Sequence, residues 1–203
     1  MNELMLLQPQ DDTLYNEIIR ENLQKRILVF NGEVDDTLIE NYALYILKWN
    51  AEDKDIPIDK RRVITILINS GGGECVVGHM FCSLIMQSKT PIRTVCLSLA
   101  ASMGYHIYLA ADQRYAFSSS VLLQHDGNVV VQNSTSKAKQ TMLFFDDMEK
   151  RTKEYVLSRT NMSEEFYDKI YEQEFYMYAN TTGKELGIVH YIIGEDCELD
   201  DIL

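Results

Sequence analysis

The chain has 203 residues, 46% hydrophobic and 25% charged, and its 31 acidic against 19 basic side chains give a formal net charge of −12. That length suits one domain able to bury a real core, with room for an appendage, and the composition is that of an ordinary soluble protein. A pI near 4.7, with Lys60-Arg61-Arg62 the only tight basic cluster, excludes a nucleic-acid backbone as partner, because counterion release needs a basic stripe.

Residues 1–12 lack periodicity and are expected to form a mobile or assembly-engaged segment. The start, Met1 to Gln8, has neither the basic lead nor the apolar run of a signal peptide. No uncharged apolar stretch reaches the roughly 18 residues of a spanning helix, so no membrane is expected. The four cysteines, Cys75, Cys82, Cys96 and Cys197, form no CxxC pair. Three sit within apolar runs and read as small buried hydrophobes in a reducing cytoplasm, with no metal and no cofactor implied.

Arg26-Ile27-Leu28-Val29-Phe30 followed by Asn31-Gly32 predicts a buried strand ended by a turn. Leu38, Tyr42, Leu44, Ile46 and Leu47 give helical spacing over 36–49, capped by Asp35 or Asp36, and 51–60 reads as a loop. Val63 to Ile68 is a β-branched run of the kind covered on both faces of a sheet. Asn69-Ser70-Gly71-Gly72-Gly73 breaks it, and Val76, Val77, Met80, Phe81, Leu84 and Ile85 continue as a helix. A second strand, Arg93 to Leu97, leads through Ser98-Leu99-Ala100-Ala101 into a helix beginning near Ser102. Short strands are expected at Tyr115-Ala116-Phe117 and Val121 to Gln124. This alternation predicts an α/β fold of repeated parallel βαβ units with right-handed crossovers. Lys137 to Arg159 is a long charged helix with a stripe of Met142, Phe145, Met148 and Val156, too long to be a core helix. A helix capped by Ser163, a strand from Glu174 to Tyr178 and a last helix near 182–186 complete the chain.

Two small-residue breaks join a strand's end to a helix's start, where open α/β sheets bind ligands. Asn69 to Gly73 lacks the lysine and spacing of a phosphate loop, but successive glycines can present N–H groups to an oxyanion, or simply turn the chain. Ser102, between Ala101 and Met103, either caps its helix or exposes a nucleophilic Oγ at the helix's positive end. Of four histidines, His79 lies on the first of these helices. His106, one turn beyond Ser102, points along the helix wall, and His190 falls in a terminal strand-like stretch. His125 ends a strand before Asp126-Gly127, at the edge where parallel sheets expose functional groups, and is the candidate base.

These motifs together resemble the Clp protease proteolytic subunits, serine peptidases on the crotonase-like fold. Ile68 to Gly73, then Ala100-Ala101-Ser102-Met103-Gly104 with Ser102 twenty-nine residues past Gly73, then His125, carry the likeness. Lys184 to Val189 resembles the family's closing EYGLVD pattern, and Leu23 to Leu28 and Gly32 to Asp36 its first strand and turn. The similarity spans most of 13–195, within a chain of one domain, 1–203. It implies Ser102 as nucleophile, His125 as base and the backbone N–H groups of Gly73 and Met103 as oxyanion hole. It also implies a projecting handle over about 128–160 that interlocks two seven-membered rings of a homo-oligomer, fed with unfolded polypeptide by an AAA+ unfoldase. The sequence departs from the family at Gly71, where a proline is usual, at Asp126-Gly127, where Gln-Pro is usual, and at the triad acid. No Asp lies in Tyr171 to Met177, so Glu174 takes that place, with Glu172 the neighbouring alternative. Two other readings are a catalytically weak or inactive ring subunit and a crotonase-superfamily acyl-CoA enzyme.

Overall fold

The computed structural model describes residues 12–203. The segment 1–12 thus lies outside the described residues except for its last member, which opens the first helix. In chain order the elements are α1 (Asp12–Gln24), β1 (Ile27–Asn31), α2 (Leu44–Glu52), β2 (Ile64–Ser70), α3 (Cys75–Gln87), β3 (Ile92–Ala101) and α4 (Met103–Leu109). Then follow β4 (Gln113–Phe117), β5 (Val121–Gln124), α5 (Thr135–Arg159), α6 (Glu164–Ile170), β6 (Phe175–Tyr178) and β7 (Tyr191–Ile193). A π-helical turn, Ile39–Ala43, leads into α2, and another, Ala179–Gly183, stands where the last helix was expected.

Parallel strands run in the order β1-β2-β3-β4-β7. Ile64, Ile66 and Ile68, on one face of β2, are fully buried, while on the other face Thr65 is buried and Leu67 and Asn69 are half-buried, so only one face is wholly covered. Strand β3 is longer than the sequence suggests, because its two halves have different partners. Arg93 to Cys96 pair with β4, whereas Leu99 to Ala101 pair with β5, which in turn pairs antiparallel with β6. The stretch 98–101 is therefore strand, and its partner is unreadable from local pattern. Helix α1 is also not anticipated: Leu14, Tyr15 and Ile18 stay exposed, so no core-facing stripe announces it.

Helix α4 is buried along its whole length. Gly104 permits this, since a Cβ there would lie 2.9 Å from the Ser70 Cβ of β2. At the opening of the sheet, the guanidinium of Arg26 clamps Asp53 through contacts of 2.5 and 2.9 Å, and Thr90 Oγ1 donates to the same carboxylate. Both charges are buried, and the paired arginine holds the Asp53 carboxyl below its ordinary range.

Helix α5 has 25 residues, about 37 Å at 1.5 Å per residue. Val156 is the sole buried residue in it. Its C-terminal half is anchored: Tyr155 Oη donates to the His106 carbonyl, and Arg159 donates to the carbonyls that close α4. Its N-terminal half leaves Met142, Leu143 and Phe144 exposed. Among the described residues, no helix is long and apolar enough to cross a membrane.

Candidate active site

Ser102 stands between β3 and α4 with φ +53° and ψ −125°, a left-handed conformation that costs a non-glycine residue about 1–3 kcal/mol. It occupies the N-cap position, yet its side chain caps nothing. The capping role is thus ruled out, and the turn instead exposes Oγ at the head of a helix, as nucleophile turns do. Backbone bonds hold it there, one of them from the His106 N–H to the Ser102 carbonyl at 3.2 Å. The Ser102 N–H donates to the Leu123 carbonyl at 3.0 Å, and the Tyr105 N–H donates to the Ser102 carbonyl at 3.0 Å.

The glycine turn packs directly against this serine. Gly72 has φ +100°, and a Cβ there would meet Ser102 Cβ at 2.6 Å, the Ala101 carbonyl at 2.9 Å and Met103 N at 3.0 Å. Gly73 bridges Val34 in parallel fashion: the Val34 N–H donates to the Gly72 carbonyl, and the Glu74 N–H donates to the Val34 carbonyl. That pattern turns the N–H of Gly73 itself to the side opposite Val34. The N–H of Met103, first residue of α4, is one of the helix's unpaired donors.

Strand register brings the remaining groups together. Ala101 pairs with Leu123, so Ser102 and His125 follow the ends of adjacent strands. Gln124 pairs with Phe175 in the antiparallel β5–β6 ladder, which sets His125 directly opposite Glu174. The His125 Nδ1–H donates to Glu174 Oε1 at 2.9 Å, with the imidazole side chain 19% and the carboxylate 60% exposed. Glu172 has no such contact with His125. Ser102 and His125 line one cavity of about 80 Å³ together with Cys75, His79, Met103 and His106. Ser102 Oγ has no hydrogen-bond partner among the described residues, so the serine–histidine bond is not closed in this structure.

The other histidines do different work. His106 is buried, its Nε2 3.4 Å from Gln124 Oε1, and burial drives its pKa from 6.5 down to about 3. Gln124 in turn donates to the His125 carbonyl at 3.1 Å. His79 stacks on His106 with ring centroids 6.0 Å apart and planes at 15°. It lines the same cavity as Ser102, a proximity that sequence reasoning missed because two helices separated by a strand supply the pair. His190 immediately precedes β7 rather than lying in it, and its Nε2 accepts from Arg114 at 2.7 Å. Among the described residues, no cluster of His, Cys, Asp or Glu could hold a metal ion. All four cysteines are free; Cys82 and Cys96 are buried, and burial raises their thiols to about 12.

A strained serine beside backbone donors thus shares a cavity with a carboxylate-bound histidine on a parallel α/β scaffold. The Clp protease family matches residues 10–196. The chain belongs to that family. It is 24% identical over 179 residues to ATP-dependent Clp protease proteolytic subunit 2 of Bacillus licheniformis, covering 87% of this chain and 90% of that protein. It is 29% identical over 126 residues to the subunit 2 of Thermobifida fusca, covering 61% of this chain and 59% of that one. With the chloroplastic subunit 3 of Arabidopsis thaliana the identity is 33% over 105 residues, or 51% of this chain and 32% of that protein. The fold is shared with a mutant ClpP1 from Listeria monocytogenes at a TM-score of 0.73 and 23% identity, covering 92% and 99% of the two chains.

Proposed function

We propose that the chain is a serine endopeptidase, the proteolytic ring subunit of a Clp-type protease. The observation that carries this reading is the meeting of Ser102, held on a left-handed turn without a capping bond, with the His125–Glu174 pair in one cavity. Because the Nδ1–H of His125 donates to Glu174, the lone pair of the neutral ring is on Nε2. His125 Nε2 accepts the hydroxyl proton as Ser102 Oγ bonds to the peptide carbonyl carbon, and the oxyanion forms against the N–H groups of Gly73 and Met103. Collapse breaks the C–N bond, His125 passes the proton to the leaving amine, and water then cleaves the ester by the same steps. The serine–histidine bond tightens as substrate docks, as is common for such pairs.

The single domain carries α5 as a handle, and its exposed Met142, Leu143 and Phe144 suit burial against another subunit. Two stacked seven-membered rings, fed with unfolded chain by an AAA+ unfoldase in the cytoplasm, complete this reading. A fluorophosphonate probe should label Ser102, and Ser102→Ala should abolish both labelling and peptide hydrolysis. Glu174→Gln should slow hydrolysis by roughly 10²- to 10⁴-fold with the ring intact. An assembled particle that the probe leaves unlabelled points instead to an inactive ring subunit, in which the serine–histidine contact stays open. Acyl-CoA turnover that survives Ser102→Ala points to the crotonase-type enzyme.

A further inference from the structure

The cavity at Ser102 does not end at the reacting groups. It runs between α3 and α5 past Cys75, Phe145 and Met148 to His79 and Thr152. In a bound peptide, the side chain nearest the attacked carbonyl belongs to the residue that becomes the acyl group. That side chain is the one able to enter this cavity.

Two of its polar groups, His79 and Thr152, bond to each other, whereas His106 Nδ1 and Tyr167 Oη, which line the same cavity, are buried without a partner among the described residues. Thr152 Oγ1 donates its proton to the Met148 carbonyl at 2.9 Å, so it accepts from the Nε2–H of His79 at 3.1 Å. His79 is thereby the Nε2–H tautomer, and its Nδ1 carries a lone pair with no partner among the described residues. Burial favours the neutral ring, and the stacked His106 lies against it as a second uncharged imidazole. His79 is only half-buried, so its acceptor can be reached. Met103, Phe145 and Met148 supply apolar wall, and the exposed Asp126 and Glu149 also line the cavity. The Glu149 carboxylate bonds Tyr171.

Resting on the peptidase reading above, we propose that His79, oriented by Thr152, makes this enzyme select peptides whose acyl-side residue bears a neutral hydrogen-bond donor. Glutamine is the best fit. Its unbranched stem packs on Met148 and Phe145 while its amide N–H meets His79 Nδ1. Methionine, of the same length, would strip water from that nitrogen and leave it unpaired. One such bond on a desolvated acceptor corresponds to about a tenfold difference in kcat/KM.

The test uses the assembled wild-type protein and two fluorogenic peptides identical except for Gln or Met before the scissile bond. The Gln peptide should be cleaved about tenfold more efficiently. In His79→Leu the ratio should fall to one or below. In Thr152→Val, which frees the His79 ring without changing its chemistry, the ratio should fall several-fold. Fluorophosphonate labelling at Ser102 reports whether each protein is folded and competent. Equal or preferred cleavage of the Met peptide by wild type overturns the inference, as does a lysine peptide cleaved faster than the Gln one. A ratio unchanged in both variants overturns the assignment to His79. Wild type that neither labels nor cleaves sinks the peptidase reading itself, and this inference with it.

Discussion

Replacing His106 by Phe should make the protein less sensitive to acid. The native imidazole titrates near 3 instead of 6.5 because it is buried, with neighbouring His79 acting in the same direction. Between those values the unfolded chain binds a proton that the native one refuses. Stability from this group is therefore complete above about pH 6.5 and is lost as pH falls, by about 1.4 kcal/mol per pH unit. At pH 5 the loss from His106 alone is about 2 kcal/mol. The pKa values of His79 and His190 are lowered too, so both add in the same direction. Urea unfolding at pH 7.5 and pH 5.0, at one protein concentration, gives the wild-type difference, and the His106→Phe protein should show a difference about 2 kcal/mol smaller. Carboxylates cancel in this comparison, since both proteins carry the same ones. Identical pH dependence in the two proteins would refute the reasoning and mean that His106 is solvated or protonated in the native state.

Gly72→Ala should abolish fluorophosphonate labelling, because a Cβ placed 2.6 Å from Ser102 Cβ must displace the serine or the turn; normal labelling would show that the turn does not press on the nucleophile. Asp53→Asn should cost about 3–5 kcal/mol in chemical denaturation, since it strands the buried Arg26 guanidinium; a loss below about 1 kcal/mol would mean that water reaches that pair. Glu172→Gln should leave peptide hydrolysis within about twofold of wild type while Glu174→Gln does not, because only Glu174 faces His125 across the ladder. The reverse order would exchange their roles.

Much of the sheet was readable from residue pattern. Val63 to Ile68, the glycine break and the two helices after it appear where their periodicity places them, and α5 begins at Thr135, two residues ahead of its expected start. The places of Ser102 and His125 just past strand ends were readable too, because a strand's end is a local property. The extension of β3 to Ala101, the contact of Glu174 with His125 and the stacking of His79 on His106 were not. Each of these depends on a partner far away along the chain.

What the sequence determined by itself is the alternation of strands and helices and the chemical kinds of residue at the turns, because periodicity and glycine's conformational freedom act over a few bonds. Tertiary structure decided the rest. The antiparallel pairing of β5 with β6 chose Glu174 over Glu172, since a ladder aligns residues by register and only one carboxylate can stand opposite His125. Packing of α3, α4 and α5 turned His79 and His106 from isolated polar residues into the wall of the Ser102 cavity. Burial then settled their charge, because an imidazole removed from water keeps its proton less well, and no residue carries that information until its neighbours are in place.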